Sequence, residues 1–260
     1  MKHLLIILMV IISLGLLSCA GQLSEDARFK QLANAYIEKL IEMNPDWATE
    51  LGDHRYDDRL NDYSAAAMQA QMNLDLAYLD SLKILDPAKM NDTNQIDYAM
   101  LVEGIEAGIF DQDTIRAYEW APGRYNPGGA VYTLLINDFA PLADRLKSVK
   151  GRLQVIPGLL DQARTNLKNP PQIQTETAII QIKGTINLIK NDLIAWLDSV
   201  PEMKIEIEPV QKEAITALES YAEWLEKELL PRSNGEFRIG EEMYRRKMHH
   251  RLKTDLTKEE

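Results

Sequence analysis

Cysteine is nearly missing from this 260-residue chain: Cys19 is the only one. An intramolecular disulfide is therefore excluded, whatever the redox state of the compartment. Histidine is almost as scarce, with His3, His54, His249 and His250. None is followed by glutamate, so the H-E-x-x-H pattern that sets two histidines one helical turn apart on zinc is absent. His249 and His250 are adjacent and would point about 100° apart on a helix, so they cannot share one ion. Arg245, Arg246, Lys247 and Arg251 surround them, and a solvated basic face is expected there. No G-x-S-x-G turn, G-x-x-x-x-G-K-[ST] loop or G-x-G-x-x-G loop occurs, which removes the common hydrolase elbow and two phosphate cradles. Positive charge is also in deficit. With 40 acidic against 29 basic residues and a net charge of -11, nucleic acid is an unsuitable partner, as is a lipid surface met by a broad basic face. Carboxylate pairs such as Asp57-Asp58 and Glu241-Glu242 carry little weight as acid–base dyads when acids are so plentiful.

Long apolar runs are missing too, with one exception at the start. "MKHLLIILMVIISLGLLSCAG" has a basic residue at Lys2 and an apolar stretch from Leu4 to Leu17. That stretch is short for a membrane span and suits the apolar core of a secretory signal. Leu16-Leu17-Ser18-Cys19 then resembles a bacterial lipobox, in which the cysteine is acylated and becomes the mature N-terminus. Cleavage elsewhere, or an uncut anchor, leaves the position of the lone cysteine unexplained. The expected organisation is a signal peptide over 1–18, a tether over 19–23 and a helical domain over 24–260. Multiple acyl chains on Cys19 would hold the protein to a membrane. Ala20 carries no acidic retention signal of the enteric kind, so the expected address is the outer membrane of the cell envelope.

What remains is rich in helical periodicity. With 45% apolar residues the chain can bury a substantial core. Phe29, Leu32, Ala33, Tyr36, Ile37, Leu40 and Ile41 recur at three- and four-residue steps over 24–43. Asn44-Pro45 opens a short helix that Gly52 stops. Ser64 caps a third helix with Met68, Met72, Leu76, Leu79 and Leu82 on its stripe. A fourth, beginning near Thr93, carries Ile96, Met100, Ile105 and Ile109. "EWAPGRYNPGG" at 119–129 reads as a loop. A long helix is expected from Ala130 to Leu153 with a bend at Pro141, and another from Pro157 to about Leu167. Ile182, Ile186, Ile189, Leu193 and Trp196 form the most regular seam. "KIEIEP" at 204–209 alternates like a short strand, but nothing is there to pair with it, so a connector is expected. Helices over Val210–Leu229 and Gly240–Leu252 complete an all-α bundle of about eight helices.

The most crowded polar stretch is "GDHRYDDRL" at 52–60. One reading is a helix stop, with Asp53, Asp57 and Asp58 taking turn donors and Arg55 or Arg59 pairing with them. The other places His54 and Arg55 in a cleft, Arg55 meeting a peptide carboxylate. Tyr125, with Tyr118 and Trp120, forms either an aromatic wall for that cleft or a lid on the core.

The order of the segments carries a resemblance. A lipobox, "NPDWATELGDHRYDDRL", "APLADRLKSVKGRLQVIPGLLDQARTNL" and "EFRIGEEMYRRKM" follow one another as in the domain-of-unknown-function 885 family of bacterial, often lipid-anchored proteins. The resemblance covers nearly the whole mature chain. Proteins of that family resemble helical zinc peptidases whose H-E-x-x-H helix lies in a C-terminal half, beyond the segment that looks like "FRIGEEMY". This chain resembles the N-terminal half alone, part of a larger metallopeptidase-like fold. The resemblance therefore implies no catalytic residue and no metal ligand here, with zinc expected only in a C-terminal half. Ile239, Met243, Tyr244, Met248 and Leu252 lie on or near one side of the last helix and should pack against something, and Asp255 or Thr257 would cap a further helix. Two functions follow: the substrate-side portion of a peptidase-like envelope protein taking a peptide-like ligand, or a stand-alone helical lipoprotein that binds a partner.

Overall fold

The structure, a computed structural model, describes residues 23–252, and among them every regular element is helical. The signal segment and Cys19 lie outside the described residues, as do Asp255 and Thr257. No described helix is long and apolar enough to cross a membrane.

The first helix, α1 (Glu25–Met43), starts at Ser24, whose Oγ accepts from the Ala27 amide at 3.2 Å. Glu25 and Asp26 complement the positive end of its dipole. Asp26 also reaches the start of α4 (Asp92–Phe110), accepting from the Asn91 backbone and from the Asn91 and Asn94 side chains. Between them come α2 (Pro45–Glu50) and α3 (Ala65–Lys83), the latter capped by Ser64 as its sequence implies. Phe29, Tyr36, Leu79, Leu82, Met90 and Ile105 fuse α1, α3 and α4 into one core.

A second, larger core is built from α5 (Gly128–Ile136), α6 (Leu142–Asn166), α7 (Gln172–Asn187), α8 (Leu193–Asp198) and α9 (Pro201–Trp224). Leu146, Leu153, Ile156, Ile182, Ile189, Ile207 and Leu218 are sealed from solvent within it. The seam read from Ile182 onward is present, but a π turn at Leu188–Asp192 inserts between α7 and α8. The extra residue shifts the phase, so Leu193 and Leu197 face inward fully and Trp196 only partly.

Prolines account for the departures from expectation. Residues 204–209 are neither connector nor strand; they lie within α9. Met203 and Ile207 are buried one turn apart while Ile205 is 77% exposed, so the alternation of isoleucine and glutamate hid a helical period. Pro209 sits on the outer face, where the carbonyl it leaves unpaired, that of Ile205, can be hydrated. Pro157 likewise lies inside α6 instead of opening a new helix. The expected Ala130–Leu153 helix is divided, with Pro141 as the N-cap of α6. The division is held by Arg145, whose guanidinium donates to the carbonyls of Leu134 (3.1 Å) and Leu135 (2.7 Å) at the end of α5 and of Ala140 (2.9 Å). A cation ten residues downstream thus neutralises a helix C-terminus.

The last helix, α10 (Glu241–Leu252), packs on α4. The expected solvated basic face is in part a contact face. His250 Nδ1 lies 2.8 Å from Glu103, Arg251 reaches Asp111 at 3.0 Å, and Arg246 stacks over Phe110. The acidic face of α4 attracts the basic side of α10, and Ile239, Tyr244 and Leu252 are left exposed.

A candidate binding cleft between two cores

The polar stretch at 52–60 is a clamp. Gly52, at φ +83°, ends α2 in a conformation that favours glycine. Asp53 accepts from the Arg55 amide, starting a tight turn over His54–Tyr56. Asp57 points inward and is buried, accepting from Thr49 Oγ1 at 2.6 Å and meeting His54 Nδ1 at 2.8 Å. Thr49 Oγ1 in turn accepts from Arg152 Nη2 at 2.5 Å, and Arg152 also donates to the Ala130 carbonyl. Arg152 is fully enclosed in α6, and burial lowers its pKa against the pull of Asp46, Asp57 and Asp58. This chain of polar contacts ties α2 to the larger core. A Cβ on Gly151 would stand 2.6 Å from the Asp58 carbonyl oxygen, so the turn lies directly on α6.

His54 and Arg55 belong to that clamp. The His54 ring stacks on Phe139 with centroids 3.6 Å apart, and Arg55 forks onto Asp53 and reaches Glu38 at 2.8 Å. The paired guanidinium holds the half-buried Asp53 carboxyl at about 2, well below its ordinary value. Neither side chain lines the cleft that opens beside α1, α3 and α4. Tyr125 does not line it either. It is fully buried, its hydroxyl donates to the Tyr118 carbonyl at 2.6 Å, and burial pushes its pKa up to about 12. Its ring meets Tyr63 edge-on at 5.1 Å, so it stands behind a wall that Tyr63 and Tyr118 present.

That cleft, of about 650 Å³, opens between α1, α3, α4 and the segment from Asn44 to Tyr63. Tyr36, Tyr63, Tyr118 and Trp120 give it aromatic walls. Trp120 is fixed by its indole N–H donating to the Ile115 carbonyl at 2.8 Å, at the end of a π turn that extends α4. Arg59, Arg124, Lys247 and Arg251 supply positive charge around it. Arg124 lies over the Tyr63 ring at 5.1 Å and makes no ion pair among the described residues. Gly104 and Gly108, one turn apart on α4, present bare backbone to the cleft, and a Cβ on Gly104 would meet nothing within 4 Å.

The cleft contains one deeply buried charge. Asp75 on α3 is 3% exposed, and its Oδ1 accepts from Tyr36 Oη at 2.9 Å and Gln71 Nε2 at 2.8 Å. Burial raises the Asp75 carboxyl above its ordinary value, against these two donors, and burial beside Asp75 raises the Tyr36 phenol as well. Asp75 is absent from the stripe expected for this helix, which was drawn through Leu76. Leu76 is 45% exposed, and the inward seam runs Met68, Met72, Asp75, Leu79, Leu82. A single acid at a seam position is the sequence signal for this site. Among the described residues no three histidine, cysteine, aspartate or glutamate side chains gather as a metal site.

The protein is thus an all-α, two-core bundle with an aromatic, mixed-charge cleft between the cores. The model of bacterial proteins of unknown function known as DUF885 matches residues 45–260, and the chain belongs to that family. A solved structure, of a candidate lipoprotein of unknown function from Shewanella oneidensis, is similar at 27% identity and a TM-score of 0.82. The likeness covers 88% of this chain and 43% of that one, so this chain spans less than half of the solved relative's length. No curated protein matches it.

Proposed function

We propose that this chain is the ligand-side helical part of a lipid-anchored cell-envelope protein, tethered through Cys19 to the outer membrane, and that its cleft takes a peptide-like ligand. Any zinc-dependent hydrolysis would be supplied by residues of a C-terminal half packed against this one. The observation that carries the reading is the cleft itself. Its volume falls within the range of roughly 300–1,000 Å³ typical of ligand pockets. Aromatic walls give apolar area for side chains, and the glycines of α4 let a backbone lie close. Arg124 is free to meet a carboxylate. The similarity to a candidate lipoprotein supports the anchored setting.

The reading is tested on the full chain in detergent by titrating tetra-alanine and following tryptophan fluorescence, to which Trp120 in the cleft wall contributes. Gly104→Leu projects a side chain into the open cleft while improving helix propensity by about 1 kcal/mol. Saturable quenching in the wild type that Gly104→Leu removes, with undiminished thermal stability, is the expected outcome. Quenching unaffected by Gly104→Leu, or none at all, contradicts it.

A further inference from the structure

We infer that the inner end of the cleft is a subsite for a primary ammonium group, held by Oδ2 of Asp75, so that a peptide enters with its free amino terminus first. The inference rests on the cleft reading above and specifies its polarity.

The two oxygens of Asp75 are differently placed. Oδ1 already accepts two hydrogen bonds, from Tyr36 and Gln71. Oδ2 receives none among the described residues, although the side chain is almost wholly buried and borders the cavity. Gly108 of α4 lies across from it, and a Cβ built there would touch Oδ2 at 3.7 Å, so the glycine leaves that side of the oxygen uncovered by a side chain. Among the described residues no lysine, arginine or histidine forms an ion pair with Asp75. Of the cleft's own cations, Arg251 is engaged by Asp111 and Arg59 lies beside Asp58.

An acid without a cation is costly at such depth, because desolvation penalises its charged form and nothing of opposite sign offsets it. A carboxylate lone pair facing a cavity is what a bound cation requires. A divalent metal needs more oxygen ligands than this single carboxylate offers, and among the described residues it belongs to no group of three histidine, cysteine, aspartate or glutamate side chains placed to hold one. A primary ammonium needs one strong acceptor plus polar or aromatic surroundings; Oδ2 is the acceptor, and Tyr36 lines the same cleft. At the other end of a zwitterionic ligand, Arg124 is available for a carboxylate. Opposite charges at separate points of one cleft set the direction in which a peptide lies.

The test compares tetra-alanine with N-acetyl-tetra-alanine on the full chain, by calorimetry, in the wild type and in Asp75→Asn. Asparagine keeps the acceptor used by Tyr36 and Gln71 and removes the charge. Acetylation is expected to weaken wild-type binding about tenfold or more, and Asp75→Asn is expected to abolish the difference between the two peptides. Gly108→Leu, which covers Oδ2 from the opposite helix and keeps Asp75, should have the same effect and serves if Asp75→Asn fails to fold. Equal wild-type affinity for both peptides, or a preference that survives in both variants, overturns the inference. In that case the cleft reading stands, provided Gly104→Leu still abolishes binding. If neither peptide binds the wild type, both readings fall together.

Discussion

Asp75 carries an opposition between stability and binding. Its carboxyl is raised above 3.8 by burial, so the folded chain holds the proton more tightly than the unfolded chain does. The contribution of such a group to stability is largest below the unfolded value and declines as pH rises through the raised one. At neutral pH the ionised side chain therefore costs stability. Asp75→Asn is predicted to match or exceed the wild type in urea midpoint at pH 7, and the gain should shrink toward pH 3. A variant less stable at pH 7 than at pH 3, relative to wild type, contradicts this assignment. Asp53 has the opposite sign: its depressed carboxyl favours the fold above its ordinary value and loses that effect as pH falls toward about 2. The histidine, arginine and aspartates of "GDHRYDDRL" stand out in the sequence because polar residues crowd there. Asp75 does not, because one acid within "QMNLDLAYLD" has ordinary surface spacing until the helix phase is fixed. Moving the seam by a single residue, from Leu76 to Asp75, separates the two readings.

At the scale of elements, most helices were legible because their starts carry chemistry readable within three or four residues. Ser24 and Ser64 are side-chain caps, and Asn91 places the start of α4 one residue before Thr93. The lengths of helices around proline were less legible. Pro157 and Pro209 continue their helices because packing on the larger core fixes both flanking turns. The break before Pro141 depends on Arg145 reaching back to α5, a contact of ten residues' separation that no local pattern reveals. Likewise Thr49, which anchors Asp57 of the turn at 53–59, is held by Arg152, 103 residues away in the chain. Its seat on α6 gives a direct prediction. Gly151→Ala would place a methyl group 2.6 Å from a backbone oxygen of Asp58, which cannot yield as a flexible side-chain end would. The cost should be about 2 kcal/mol, despite alanine's better helix propensity. Gly104→Ala, on an open helix face, should instead stabilise. Chemical denaturation of the two variants side by side measures the contrast, and equal effects would remove the clamp from the account.

For the whole molecule, two cores packed from different parts of the chain leave a seam between them, and the cleft occupies that seam. The smaller core supplies the buried acid, Tyr36 and the glycine-faced helix, while the segments leading to the larger core supply Arg124, Tyr63, Tyr118 and Trp120. Class and family were legible from the order of segments; the location of the cleft was not, because it depends on where the two cores meet. Family membership spans residues 45–260, and the solved relative extends well beyond the matched region. The matched region is therefore one part of that solved protein. The most direct question is where a ligand lands. Hydrogen exchange on the full chain, with and without saturating tetra-alanine, answers it. Slowed exchange confined to α3, α4 and residues 111–120, with residues 190–219 unchanged, is the predicted result. Slowed exchange along the shallow groove of α8 and α9, where Lys190, Lys212 and Glu219 lie, with α3 and α4 untouched, would contradict the account.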